Sequence, residues 1–150
     1  MNKEPDFNPF DFDLPSDWQD QTVYVFRGPD IGEVEHRLMV TVDRHLQHDN
    51  ITDFSKEKTA PIIDSLAGLE VIRDEEITLE NGHPASEFVC KWIPTDEKII
   101  FKKYVFVMCH GMGFMFFCDF SKKSMKMLGG QMNDIIESLL PGTFQPIEDD

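Results

Sequence analysis

The middle of the chain carries two stretches of apolar residues that do not alternate with polar ones. They are Phe106–Cys109 and Phe114–Cys118, and a turn containing Gly111 and Gly113 separates them. A strand of an antiparallel sheet usually turns one apolar face inward and one polar face to water. Because these two strands lack that alternation, both of their faces are predicted to be buried, and something must cover the second face.

The spacing of apolar positions predicts two helices among several short strands. Over residues 51–69 the apolar positions fall at helical spacing, with Asn50 or Thr52 as the cap and Pro61 placed to bend or restart the helix. A second helix is predicted over residues 121–140. Strands are predicted over residues 10–14, 22–27, 36–46, 70–79, 83–93, 98–109 and 114–120.

This order of elements predicts an α+β fold in one domain spanning residues 1–150. The fold is an antiparallel twisted sheet of about six to seven strands with two main helices. Asn81-Gly82 is the residue pair typical of a tight type I′ hairpin turn. Residues 1–9 and 144–150 are expected to be loosely ordered ends. Helices of such folds usually lie on one side of the sheet, so both helices are predicted to cover one face and leave the other bare.

The bare face is predicted from strand alternation, because residues two apart share a face. Bulky side chains are assigned to the core beneath the helices, and compact aliphatic ones to an open trough. The core set is Tyr24, Phe26, Tyr104 and Phe106, and the trough set is Val23, Val25, Leu38, Val40, Val42, Ile99 and Phe101. Loops and helix ends of the same chain, a second copy of the chain or a bound client are the three alternatives for covering the trough.

The charge of the chain excludes some partners. It has 14 basic and 28 acidic residues, a net charge of −14. Such a surface repels phosphate backbones and anionic lipid, so neither nucleic acid nor direct membrane insertion is expected. The field favours a partner with basic segments, although an acidic surface also serves solubility alone.

Location and redox state follow from two further features. The first residues lack the apolar region of a secretory signal, and no run approaches the roughly 20 apolar residues that span a bilayer, so a cytoplasmic protein is expected. Cys90, Cys109 and Cys118 are an odd number without CxxC spacing, and they fall within apolar strand patterns. Buried free thiols are therefore predicted.

No motif points to catalysis, a metal or a cofactor, and the chain is not expected to be an enzyme. His45, His48 and Asp49 fall at a strand end, where solvated loop residues are the simpler interpretation. The glycines at 111 and 113 lie in a hairpin turn and not before a helix, so they do not form a dinucleotide loop.

Three motifs carry a resemblance to a known family. The opening "FDFDLPSDWQDQTVYVF" has a strand ending in Leu14-Pro15, then Trp18, Asp20 and a second strand, and "VTVDR" and "GHPASEFVCKW" follow later. Together they resemble the DcrB-like branch of the Mog1/PsbP-like fold, and more closely the Eag chaperones of bacterial type VI secretion effectors. The resemblance extends over nearly the whole chain.

The resemblance implies a cytoplasmic chaperone, often a homodimer, that shields the N-terminal transmembrane helices of a PAAR/Rhs-type toxin before the toxin is loaded on the secretion spike. A module that binds a small ligand or lipid in the same trough, and a plain interaction partner like the Ran-binding relative of the fold, are the alternatives. The chain departs from the family pattern at Lys58, Pro61 and Lys103. Carried onto this sequence, the client-binding residues are Val23, Val25, Leu38, Val40, Val42, Lys58, Ile62, Leu66, Ile99, Phe101 and Lys103.

Overall fold

The computed structural model of the chain describes residues 15–18, 23–31, 35–44, 46–95 and 98–139, which contain six strands and two helices. In chain order the elements are β1 (Val23–Arg27), β2 (Arg37–Asp43), α1 (Ile51–Ser65), β3 (Glu70–Thr78), β4 (Pro84–Thr95), β5 (Lys98–Cys109), β6 (Met112–Phe120) and α2 (Lys122–Glu137). The strand predicted at residues 10–14 and the ends predicted at 1–9 and 144–150 lie outside the described residues.

All six strands form one antiparallel sheet in the order β1-β2-β6-β5-β4-β3. This confirms the predicted α+β class and is consistent with a Mog1/PsbP-like fold. The apolar strands β5 and β6 are the two central strands, and β1 and β3 are the edges. Within the described part of the chain, neither helix is long and apolar enough to cross a membrane.

The two helices lie on opposite faces of the sheet, so the prediction that they share one face is wrong. α1 packs over β4 and β5, where the rings of Phe54 and Phe106 meet edge to face with their centroids 5.8 Å apart. α2 packs over β5 and β6, where Leu128 joins Val105 in a separate cluster. Val105 and Phe106 are neighbours on one strand and therefore point to opposite faces. A helix over each face explains why β5 and β6 do not alternate.

Helix α1 is capped as expected and contains its proline. The side chain of Asn50 accepts a hydrogen bond from the backbone N–H of Asp53 at 2.9 Å. The helix does not restart at Pro61 but continues to Ser65, with Leu66 as its C-cap. Gly68, with φ of 75°, then turns the chain towards β3.

The tight turn with two positive φ angles lies at a different hairpin from the predicted one. Asn81 does not adopt a positive φ, and Gly82 alone, with φ of 89°, takes the left-handed conformation in the β3–β4 turn. The N–H of Gly82 donates to the carbonyl of Leu79 at 2.8 Å. His110 and Gly111, with φ of 52° and 75°, instead form the two-residue connection between β5 and β6, the pattern of a type I′ turn.

A candidate apolar docking surface

The register between β1 and β2 separates the residues of the predicted trough. Val23 lies opposite Thr41, and Val25 lies opposite Met39. Since directly opposed residues share a face, Val23 and Val25 lie on the α1 side of the sheet. The predicted β2 residues of the trough alternate with Met39 and lie on the α2 side. The expectation of one common face is wrong, because a one-residue difference in register moves a whole strand's side chains to the other face.

The trough residues on the α2 side belong mostly to the core. Val42 is buried, and Leu38, Val40 and Phe101 pack at the margin of the cluster beneath α2. Ile99 alternates with Phe101 and is exposed at the end of β5. These residues therefore do not form an open surface with Val23 and Val25.

Lys103, also predicted to contact a client, is buried on the α2 side. Its Nζ donates to Oδ1 of Asn133 at 2.7 Å and lies 3.6 Å from Oε2 of Glu87. Nη1 of Arg73 approaches the other oxygen of that carboxylate at 2.7 Å. Burial lowers the pKa of the Lys103 ammonium, and the Glu87 carboxylate opposes this shift. The group is a satisfied internal charge cluster that ties β3, β4, β5 and α2 together.

An open apolar surface lies on the α1 side, over the strands that α1 leaves uncovered. We define the open strip as Val23, Val25, Met39, Met115 and Phe117, from β1, β2 and β6. Val23 and Val25 are 44% and 50% exposed, and the other three are half-buried. An exposed set of neighbouring apolar side chains on a sheet face is typical of an interaction surface.

The open strip continues the core under α1 without a break. Val25 opposes Met39, which opposes Phe117, and Phe117 opposes Tyr104. The rings of Phe117 and Tyr104 stack with their centroids 4.3 Å apart. Tyr104 then opposes Phe88, which is 1% exposed. One cross-strand row therefore runs from water at β1 to the fully covered core at β4.

The predicted helix wall stays on the same side as the open strip. Lys58, Ile62 and Leu66 follow Phe54 at four-residue steps, so they lie along one side of α1 and its C-cap. All three are half-buried, and Ile62 packs at the margin of the cluster that also contacts Phe117. Five predicted residues are thus brought to the α1 side: Val23, Val25, Lys58, Ile62 and Leu66.

A buried cation marks one end of the open strip. Nζ of Lys102 lies 3.0 Å from Oδ1 of Asp119, and it sits over the rings of Trp92 and Phe117 at 5.3 and 5.2 Å from their centroids. The carboxylate and the two aromatic faces together stabilise the ammonium group. Sequence reasoning missed Met39, Met115 and Phe117 as surface residues because their place on the open strip depends on the strand register.

A further polar contact joins His48, in the loop before α1, to Glu57 on the helix. Nε2 of His48 lies 2.7 Å from Oε2 of Glu57, and this hydrogen bond holds the pKa of the Glu57 carboxyl below its usual value. His45 lies outside the described residues. No group of three or more His, Cys, Asp and Glu side chains within the described ranges is placed to hold a metal ion.

The three cysteines are buried free thiols, as predicted. Cys90 lies in the cluster beneath α1, and Cys109 and Cys118 lie in the cluster beneath α2. Burial raises the pKa of the Cys109 thiol, and it raises the pKa of Cys90 and Cys118 to about 11. Burial outweighs the nearby Lys102 ammonium, which alone would lower the pKa of Cys90, so the thiols carry little thiolate at neutral pH.

Comparison with known proteins identifies the family. The DcrB family model matches residues 11–117 of the chain. This protein belongs to the DcrB family. The matched range contains α1 and every residue of the open strip, and it ends before α2. None of the curated proteins matches the chain.

A solved structure supports the fold of this DcrB-family chain. The chain is similar to the crystal structure of PA94 from Pseudomonas aeruginosa, which is described as a protein of unknown function and a proposed regulator. The TM-score is 0.71 at 16% sequence identity, and the match covers 94% of this chain and 98% of PA94. At that identity the similarity establishes a shared fold.

Proposed function

We propose that this DcrB-family protein is an adaptor chaperone that shields an apolar helix of a client protein on the open strip. The observation that carries the proposal is the exposure of Val23 and Val25 on a sheet face whose apolar surface is continuous with the core. The role is one of binding and not of catalysis.

The dimensions of the uncovered sheet suit one helix. α1 occupies the face over β4 and β5, so β1, β2 and β6 remain beside it. Three strands at about 4.8 Å spacing are roughly 14 Å wide, and a helix with its side chains is about 10–12 Å across. A client helix on the open strip would complete a helical layer next to α1.

The gain from covering this surface is adequate for specific binding. Burial of on the order of 500 Å² of apolar surface contributes roughly 12 kcal/mol gross at about 25 cal/mol per Å². Loss of translational and rotational freedom and side-chain ordering offset much of this. The free energy that remains is in the range expected for binding of a specific partner.

The client class that we propose is the N-terminal transmembrane helix segment of a type VI secretion toxin of the PAAR/Rhs type. The DcrB assignment and the Eag-like motifs of the sequence support it. Transmembrane helices carry basic flanks on the cytoplasmic side, and the net charge of −14 complements such flanks. A cytoplasmic location and a homodimer, in which a second copy shares the cover, belong to the same proposal.

Two adjacent residues of β1 provide the experiment. Val25 and Phe26 are similarly exposed, at 50% and 57%, but they point to opposite faces. The probe is a synthetic helix of alternating leucine and alanine with lysines at both ends. Binding is measured by fluorescence anisotropy for wild type, Val25→Glu and Phe26→Glu. Val25→Glu should weaken binding more than about tenfold, because it places an unpaired charge in the contact, and Phe26→Glu should not.

Two results contradict the proposal: failure of the wild type to bind the probe, or equal losses in both variants. Native mass spectrometry of the purified chain separates the other occupants. A retained lipid mass would favour a lipid-binding module. A dimer mass that Val25→Glu abolishes, in a chain that does not bind the probe, would assign the open strip to a second copy alone. An N-terminal toxin fragment that is equally soluble with and without the chain would overturn the client class.

A further inference from the structure

Helix α1 is anchored to the sheet by its first half. Its buried residues all precede Pro61: Ile51, Phe54, Ser55 and Thr59. Its polar contacts to other elements are also in this half, where the hydroxyl of Thr52 donates to the Glu76 carboxylate on β3. Glu57 adds the contact to His48 in the preceding loop.

The second half of α1 is held weakly. Pro61, Ile63, Asp64 and Ser65 are exposed, and only Ile62 and the C-cap Leu66 are half-buried. Pro61 has no N–H to donate to the carbonyl of Glu57, and its ring crowds that carbonyl, so the helix is weakest at this point. In this half the hydroxyl of Ser65 donates to the carbonyl of Ile62, a contact that lies within the helix itself.

The weakly held half runs towards a fully buried part of the α1-side core. The first half is fixed near Glu76, which opposes Ser86 on β4. The chain then leaves the helix towards Glu70, which opposes Lys91, next to Cys90. Phe88 is 1% exposed and continues the row that begins at Val25. Cys90 is 0% exposed and lies two residues further along β4 on the same face, opposite Lys102.

We propose that the docking surface extends beneath the second half of α1, and that a client helix reaches Phe88 and Cys90 when this half swings outward at Pro61. This inference rests on the proposed function, since it concerns the same client helix. Exposure of the covered core lengthens the apolar row available to the client from β1 as far as β4. The apolar helix replaces the weakly packed second half of α1 as the cover of that core.

Photo-crosslinking tests the inference on the full chain. The probe is the lysine-flanked leucine-alanine helix with one leucine replaced by a diazirine-bearing analogue, and crosslinked positions are mapped by peptide mass spectrometry. The expected result is crosslinking to β4 at Phe88 or Cys90 as well as to Val25 and Met39. Crosslinks at Val25 and Met39 alone would overturn the extended surface and leave the proposed function intact. No crosslinking and no binding would remove both.

A substitution at Pro61, the hinge of the proposed movement, tests the inference further. Pro61→Ala restores the missing N–H and should reduce crosslinking to β4 on the order of tenfold, with crosslinking to Val25 unchanged. Ala60→Ser is the matched control, since it changes an exposed neighbour and keeps the backbone donor. If Ala60→Ser reduces the β4 crosslinks as much as Pro61→Ala does, or if Pro61→Ala has no effect, the hinge assignment is wrong.

Discussion

The ring of Phe54 lies so close to Gly113 that a Cβ built on the glycine would be 2.7 Å from its Cζ atom. The Leu46 side chain closes the same space at 3.0 Å. Gly113 is therefore the point at which the first half of α1 contacts β6, and no larger residue fits there without moving the phenyl ring.

Gly113→Ala should lower the free energy of unfolding by roughly 1–3 kcal/mol, because the added methyl overpacks the contact with Phe54. Gly130→Ala is the opposite case: it lies inside α2, nothing is within 4 Å of its Cβ position, and alanine should raise the stability by about 0.5–1 kcal/mol. Urea denaturation at pH 7 measures both. A Gly113→Ala protein as stable as wild type would contradict the close contact.

The β3–β4 turn predicts unequal roles for Asn81 and Gly82. Gly82→Ala should cost about 1–2 kcal/mol, since only this residue has a left-handed backbone. Asn81→Ala should cost less than about 1 kcal/mol, because it removes one exposed side-chain hydrogen bond to the N–H of His83. Thermal unfolding of the two variants compares them. Equal losses would favour a type I′ turn with both residues left-handed.

The charge cluster beneath α2 predicts strong coupling between Glu87 and Lys103. Glu87→Gln leaves a buried ammonium without its counter-ion and should cost roughly 3–5 kcal/mol. Adding Lys103→Met should recover part of that loss, because no buried charge is then left unpaired and Arg73 is half exposed to water. A double-mutant cycle by urea denaturation measures the coupling, with Glu75→Gln as an exposed control on β3. Simple additivity of the two single changes would show that the pair is not coupled.

The raised pKa of Cys118 predicts a loss of stability at high pH. The folded pKa of about 11 exceeds the ordinary value of 9.0, so the folded state holds the proton more tightly than the unfolded chain. The resulting stability is fully present below pH 9 and is lost as the pH rises towards 11. The difference in unfolding free energy between wild type and Cys118→Ala should therefore shrink from pH 8 to pH 10.5. Val107→Ala, which removes no titrating group, should show a constant difference over that range.

Sequence patterns predict the elements of this fold well where the signal is local. β5 was placed at its observed bounds because a long apolar run ends at a turn on each side. Tyr104 and Phe106 were correctly assigned to the core beneath a helix. Capping of α1 by Asn50 was among the expected alternatives, because its short amide side chain suits that position.

The candidate site was predicted only in part because it depends on non-local geometry. Alternation states which residues of one strand share a face, but not how two strands are aligned. The β1–β2 connection sets that alignment through the hydrogen bond from the N–H of Gly28 to the carbonyl of His36 at 2.9 Å. This alignment joins Val25 to Met39 and removes Val40 from the open surface. The placement of one helix on each face is likewise a property of the whole chain, since neither helix sequence specifies a side of the sheet.

The charged edge strand β3 affects how copies of the protein meet in a crowded solution. Five of its nine residues are charged, and four of those are acidic, Glu70, Asp74, Glu75 and Glu76. Like charges repel when two such edges approach, and a charged border is a common protection against the pairing of strands from different molecules. The protein therefore resists cross-β aggregation along the β3 border.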